Sequence, residues 1–255
     1  MVWLSDLRKR VYRGLRYRVT RPSPPIAPFP FVGPVVVVGS APVSHKPIGW
    51  GSDFLTITVN GSQSVIESWG TEVPDITFLM YNQIYGTTPN AVAVRGVLKG
   101  RRTGILYVLP WEKNDRERLE KGLCAFDYKY DSLHIVDRYE RMALLDRIAG
   151  LRSAELDSDS KCSNGMNAVL FALHNGAPAV IITGINPNST GHSYNSAGLA
   201  RQHVQMDKEI IAKLVSEGRP IFTADPTVSA DLGIPLWAGA IKPLACHVPS
   251  DGRRQ

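Results

Sequence analysis

The sequence predicts one α/β domain on a Rossmann-like, doubly wound, mostly parallel sheet, and three observations predict it. Apolar β-branched runs such as Val35-Val36-Val37-Val38 and Phe54 to Val59 end at Gly39 and at Asn60-Gly61, as strands buried on both faces do. In the second half, stretches with helical spacing alternate with such runs. A length of 255 residues with 44% apolar content is enough for one sizeable core.

Residues 1 to 21 stand apart from that domain. Arg8, Lys9, Arg10, Arg13, Arg16, Arg18 and Arg21 face only Asp6, so this segment carries the whole formal charge of +6. Leu4, Leu7, Val11 and Leu15 recur at helical spacing between those charges, which predicts a basic amphipathic helix. Such a helix suits an anionic membrane surface. A solvated helix packed on its own domain and an RNA-binding segment are the other readings, although no stacking platform or RNA motif follows, so nucleic acid is not expected as a partner. The Pro-rich stretch 22–34 reads as a semi-rigid linker, and residues 35–255 as the α/β domain. Deleting residues 1 to 21 is then expected to spare turnover on a soluble acceptor.

Within the domain, Val35 to Val38, Phe54 to Val59, Ile76 to Tyr81 and Ile105 to Leu109 read as strands, and Asn114 to Gly122 as a charged helical region. Ser163 to Asn175 carries Met166, Val169, Leu170 and Leu173 at helical spacing, and Ala179 to Ile185 follows as a buried strand. Leu199 to Glu217 is a second helix, stopped by Gly218 before a strand at Pro220 to Thr223. Cys124, Cys162 and Cys246 are odd in number and lack CxxC spacing, so neither a disulfide framework nor a zinc knuckle is expected. No run reaches the ~20 apolar residues of a membrane span, and no secretory signal core opens the chain, so a cytoplasmic location is expected.

Ligands of such sheets gather beyond the carboxyl ends of the strands. Gly39-Ser40-Ala41-Pro42 is a small-residue loop open to a phosphate or ribose. Asn60 and Asn82 follow the next two strands and offer donors and acceptors for a base or sugar edge, although Asn60-Gly61 also makes a simple turn. Lys161-Cys162-Ser163-Asn164-Gly165 leads into a helix with capping chemistry that can equally hold an anion. The polar loop Gly184 to Tyr194 follows a buried strand and contains Asn186, Asn188, His192 and Tyr194. His203, early in the next helix, is a candidate general base, with His192 its competitor. Asp157-Ser158-Asp159 has the DxD spacing of metal-bound nucleotide sites, but its acidic, serine-rich setting reads as a solvated loop.

These motifs, in this order, resemble the bacterial lipooligosaccharide sialyltransferases of glycosyltransferase family 42. In that family a GNGPS-like loop corresponds to Gly39-Ser40-Ala41-Pro42, and strand-end asparagines on CMP correspond to Asn60 and Asn82. A T-S-G helix start corresponds to Ser163-Asn164-Gly165, and a G-I-D strand end with a tyrosine-bearing loop to Gly184-Ile185-Asn186 and Tyr194. The resemblance covers roughly residues 35 to 225. It departs at Ser40 for Asn, Lys161 for Arg and Asn188 for one of two tyrosines, and in a short loop between Tyr194 and His203.

The resemblance implies a GT-A-like variant of the sheet and an inverting, metal-independent transfer of an acidic sugar, sialic acid or Kdo-like, from a CMP-activated donor. The acceptor is a glycan or glycolipid, as in lipopolysaccharide biosynthesis. It makes His203 the catalytic base and Tyr194 the partner of the departing phosphate. Gly39, Ser40, Ala41, Asn60, Asn82, Lys161, Ser163, Asn164, Gly184, Asn186 and Asn188 then hold the donor. No cofactor or metal is expected, and a peripheral position on the inner face of the cytoplasmic membrane is. A homo-oligomer is left open. The competing readings are a pterin pyrophosphokinase-like enzyme, which needs clustered carboxylates for magnesium, and a non-catalytic nucleotide-sugar-binding protein at the membrane.

Overall fold

The computed structural model describes residues 2–109, 115–195 and 202–240. Among them, β1 (Val35–Val38), β2 (Leu55–Val59), β3 (Ile76–Met80), β4 (Arg102–Leu109), β5 (Lys129–Ile135), β6 (Val180–Thr183) and β7 (Ile221–Thr223) form a single sheet. Every pairing is parallel, and the order is β5-β4-β3-β2-β1-β6-β7. The doubly wound architecture predicted from the sequence is the one observed. The chain runs outward from β1 through β5, then returns to place β6 on the other side of β1. The order therefore reverses between β1 and β6, where a crevice opens at the strand ends.

All four valines of β1 are fully buried, each burial contributing roughly 1.5–3 kcal/mol. Val35 and Val37 face a core shared with α6 (Arg138–Ala149), α7 (Asn164–His174) and α8 (Val204–Ser216). Val36 and Val38 face the other side, where α2 (Gln63–Glu67) supplies Ile66. Further along that second face lie α3 (Tyr81–Tyr85), α4 (Pro89–Leu98) and α5 (Arg116–Ala125), through Ile84, Val94, Leu98, Leu119 and Leu123. A final short helix, α9 (Pro226–Leu232), buries Val228. The predicted helix starts at Leu199 and Asn114 lie outside the described residues, as do Cys246 and the segment linking Tyr194 to His203 through residues 196–201.

Local chemistry sets the boundaries. Ser163 caps α7 by accepting from the Met166 N–H, and Thr88 caps α4, followed by Pro89 in its first turn. At α6 the Asp137 carboxylate accepts from the Tyr139 and Glu140 N–H groups, and the Glu140 carboxylate accepts from the Asp137 N–H in return. Inside the sheet the polar residues answer one another: the Thr58, Thr77 and Thr103 hydroxyls form a chain at 2.9 and 3.0 Å, and the buried Tyr128 phenol joins it at Thr77, 3.1 Å away.

The first helix, α1 (Val2–Thr20), lies against α6 and the loop after it. Arg13 donates to the carbonyls of Ala154 and Glu155, Tyr17 to Asp146, and the Arg16 guanidinium stands 4.8 Å over the Tyr139 ring. Residues two apart on a helix point to nearly opposite sides, so Val11 and Leu15 face away from Arg13. Leu4, Leu7, Val11, Leu15 and Val19 are all exposed. The Pro-rich stretch is laid on the domain: Pro24 and Pro25 are buried, Asn175 bonds the backbone of Ala27 and Pro25, and Phe31 enters the core. Among the described residues no helix is long and apolar enough to cross a membrane.

Candidate functional site

A cavity of about 530 Å³ opens over the reversal between β1 and β6, a volume typical of small-molecule sites. Two glycines bring its floor together. A Cβ on Gly39 would meet the Gly184 carbonyl oxygen at 2.3 Å, and one on Gly184, whose φ is +61°, would meet the Ser44 hydroxyl at 2.5 Å. Backbone bonds from Gly39 N to the Thr183 carbonyl and from Ala41 N to the Gly184 carbonyl lock the two loops.

Nine of the thirteen residues that the resemblance assigned to the site line this cavity: Gly39, Ser40, Asn60, Asn82, Ser163, Asn164, Gly184, Asn186 and His203. Asn60 takes the left-handed conformation at φ +53°, which asparagine tolerates. Its Oδ1 accepts from the Met80 N–H at 3.1 Å and from Asn164 Nδ2 at 3.4 Å, joining the ends of β2, β3 and α7. The Ser163 N–H donates to Asp207 on α8 at 2.8 Å, so the starts of α7 and α8 are tied together on the cavity wall.

Four of the expected residues lie elsewhere. Ala41 is buried under the floor. Lys161 sits among the charges of Glu155, Arg138, Arg13 and Arg141, and burial lowers its pKa. Asn188 is exposed, donating its N–H to Asn186 Oδ1 and its amide to Asp231. Tyr194 stacks on His192 with ring centroids 5.3 Å apart and 8° between planes, and its other surroundings include Gly61, which has no room for a Cβ. The phenol expected on a phosphate is thus behind an imidazole that itself lines the cavity.

Two histidines therefore face this space. His192 Nδ1 and the Ser40 hydroxyl are 2.9 Å apart. His203, at φ +70° immediately before α8, places Nδ1 2.6 Å from the Ser158 carbonyl oxygen. A carbonyl only accepts, so in the neutral ring Nδ1 carries the proton and Nε2 is the acceptor. Burial pushes the pKa of His203 down; backbone hydrogen bonds at Ser158 and at Lys161 oppose the fall, and the Lys161 charge adds to it. Ser158 belongs to the Asp157-Ser158-Asp159 loop, where Asp157 Oδ1 accepts from the Ser160 N–H at 2.8 Å. That loop presents a carbonyl to the site, a role no sequence motif signals. Buried Cys162, its thiol pKa raised by desolvation, is not part of the lining.

Sequence reasoning missed Gln83, Thr88, Asn90 and Gln202 on the wall. Thr88-Pro89, a cap residue followed by a first-turn proline, was the available signal for the α4 start that brings Thr88 and Asn90 there. Among the described lining residues Asp207 is the single carboxylate, and it already accepts from Ser163. The wall thus offers amides and imidazoles in place of the carboxylate cluster that magnesium-dependent pyrophosphoryl transfer needs. No group of three or more His, Cys, Asp or Glu that could hold a metal ion occurs among the described residues.

No protein-family model and no curated protein matches the sequence. Solved structures do share the fold. The Campylobacter jejuni sialyltransferase CstII with the substrate analogue CMP-3FNeuAc superposes with a TM-score of 0.54 at 12% identity, over 84% of this chain and 89% of that one. A variant of CstII with CMP gives 0.57 at 11% identity, over 82% and 88%. CstII with a trisaccharide acceptor and CMP gives 0.52 at 11% identity, over 83% and 88%. The seven-stranded parallel sheet and its flanking helices are the architecture of those sialyltransferases.

Proposed function

We propose that this chain is an inverting glycosyltransferase that moves an acidic sugar, sialic acid or a Kdo-like one, from a CMP-activated donor to a glycan or glycolipid acceptor, without a metal. The observation that carries the proposal is the imidazole of His203, held by a carbonyl in its Nε2-acceptor form, on the wall of the cavity at the sheet's reversal. The fold shared with enzymes solved with CMP, a CMP-sugar analogue and an acceptor supports the donor class.

In this reading His203 Nε2 takes the acceptor hydroxyl's proton as that oxygen bonds to the anomeric carbon and the bond from that carbon to the CMP phosphate oxygen breaks. Proton removal of this kind is worth typically ~10²–10⁴ in rate. Negative charge gathers on the departing phosphate, and the N–H groups of Asn164 and Gly165 in the first turn of α7 are placed to meet it. Asn60, Asn82 and Asn186 read the nucleotide and sugar edges. Gly39 and Gly184 let the donor approach the backbone, while Ala41, Lys161 and Asn188 act behind the wall. Tyr194 acts through His192, whose ring it backs. The exposed apolar stripe of α1, flanked by arginines, docks on an anionic membrane surface at the inner face of the cytoplasmic membrane, beside a lipid-linked acceptor.

A thermal-shift series with CMP, UDP, GDP and ATP tests the donor class. CMP is expected to raise the melting temperature above the other three; equal shifts, or preference for ATP, reject it.

A further inference from the structure

The loop that holds His203 is itself held by α1. Arg13 Nη1 donates to two successive carbonyls of that loop, Ala154 at 2.9 Å and Glu155 at 2.7 Å. From the domain side, Arg141 on α6 grips the Glu155 carboxylate at 2.6 and 3.2 Å, with Arg138 Nε 3.5 Å away. Glu155 is buried and left-handed at φ +48°, a backbone state that persists only where the surroundings impose it. The loop is also closed on itself: the Ser153 hydroxyl donates to the Ser160 carbonyl, and Asp157 and Ser160 bond reciprocally through backbone and side chain. A closed loop clamped at Glu155 moves as one piece, and Ser158, three residues on, carries the carbonyl that takes the Nδ1 proton of His203.

We propose that α1 is a positioning element for the site: Arg13, which bonds carbonyls 141 and 142 residues further along the chain, fixes the Ser158 carbonyl and through it the ring orientation and tautomer of His203. The inference rests on the reading of His203 as the base and assigns that base a support which the chain supplies from outside the residues of the sheet domain. A surface helix attached only as an anchor would need no arginine aimed at two carbonyls of an active-site loop, so the expectation that deleting residues 1 to 21 spares turnover on a soluble acceptor is reversed here. The apolar stripe lies on the opposite side of α1, so contact with a lipid surface leaves the clamp in place. Arg13 touches no reacting atom; it acts through Glu155, Ser158 and His203.

The test is the histidine-ring tautomer in the full-length protein, read by two-bond nitrogen–proton correlation on ¹⁵N-histidine-labelled samples near neutral pH, with His203→Gln to assign the signal. Wild type is expected to show His203 protonated on Nδ1 alone. Arg13→Ala is expected to show a mixture of both tautomers, with kcat lowered about tenfold at unchanged donor KM, and Arg13→Lys is expected to restore both in part. Should Arg13→Ala lose the fold, Arg13→Gln takes its place. A single Nδ1–H tautomer retained in the Arg13 variant overturns the proposal. Turnover undiminished in His203→Gln, alongside a tautomer that still responds to Arg13, removes the catalytic role of His203 and leaves the mechanical link standing.

Discussion

His192 and His203 line the same cavity, but the partner of the bonded ring nitrogen differs. Ser40 offers His192 a hydroxyl, which can either donate or accept, and Tyr194 supports the ring by stacking at 5.3 Å. Ser158 offers His203 a carbonyl, which can only accept. In the first arrangement the Ser40 hydroxyl does not by itself dictate a tautomer for the His192 ring, whereas in the second the Ser158 carbonyl dictates one for His203 before any ligand arrives. A ring that must receive a proton at a defined atom is better served by the second, and burial keeps that ring neutral to lower pH. The first suits a ring that reads a bound group. The difference teaches that exposure to a cavity does not make a base; the group behind the ring does.

The comparison breaks most visibly by removing each ring in turn. His203→Ala is expected to lower turnover by about 10²–10⁴ while CMP still binds. His192→Ala is expected to raise the donor KM about tenfold, the cost of one lost hydrogen bond, with kcat little changed. Steady-state kinetics with titration of CMP would show it, and equal losses of kcat in the two variants would erase the distinction.

The pH profile sharpens it. Because burial lowers the His203 pKa, kcat is expected to hold down to a pH below about 6.5, the ordinary imidazole value, before falling. An acid limb at or above that value, or one that disappears in His192→Ala, would transfer the base to the other ring. The smallest effect is on stability. A histidine held neutral when folded binds its proton more readily unfolded, so its contribution is complete above about 6.5 and is lost as pH falls toward the folded pKa. Urea unfolding across that range is expected to show stability rising with pH and then levelling, with a shallower rise in His203→Ala than in His192→Ala.

The strands at the centre of the sheet were legible because a parallel strand buried on both faces is a run of apolar β-branched residues, and β1 is four valines. β5 was not legible. It lies at the edge of the sheet, its pattern Lys129-Tyr130-Asp131-Ser132-Leu133 alternates, and only Leu133 of these is buried. α6 escaped for the opposite reason: Arg141, Met142, Ala143, Leu144, Leu145, Ile148 and Ala149 are buried around most of its circumference, so it presents no single apolar stripe.

The candidate site divides along the same line. Residues at the ends of successive strands, Gly39, Asn60, Gly184 and Asn186, could be placed on one rim because topology puts strand ends there. Side chains that reach the cavity from loops, or are turned away by a neighbour, could not be placed: Tyr194 behind His192, Lys161 in the Glu155 cluster.

By itself, then, the sequence determined the period of burial, the alternation of strand and helix, and the concentration of positive charge in the first 21 residues, because each is a local property of which neighbours are apolar or charged. Tertiary structure alone decided that Arg13 would close on the loop after α6 and that the Ser158 carbonyl would meet His203. Both contacts use backbone carbonyls. Every residue has one, so no side-chain pattern announces which of them will be needed.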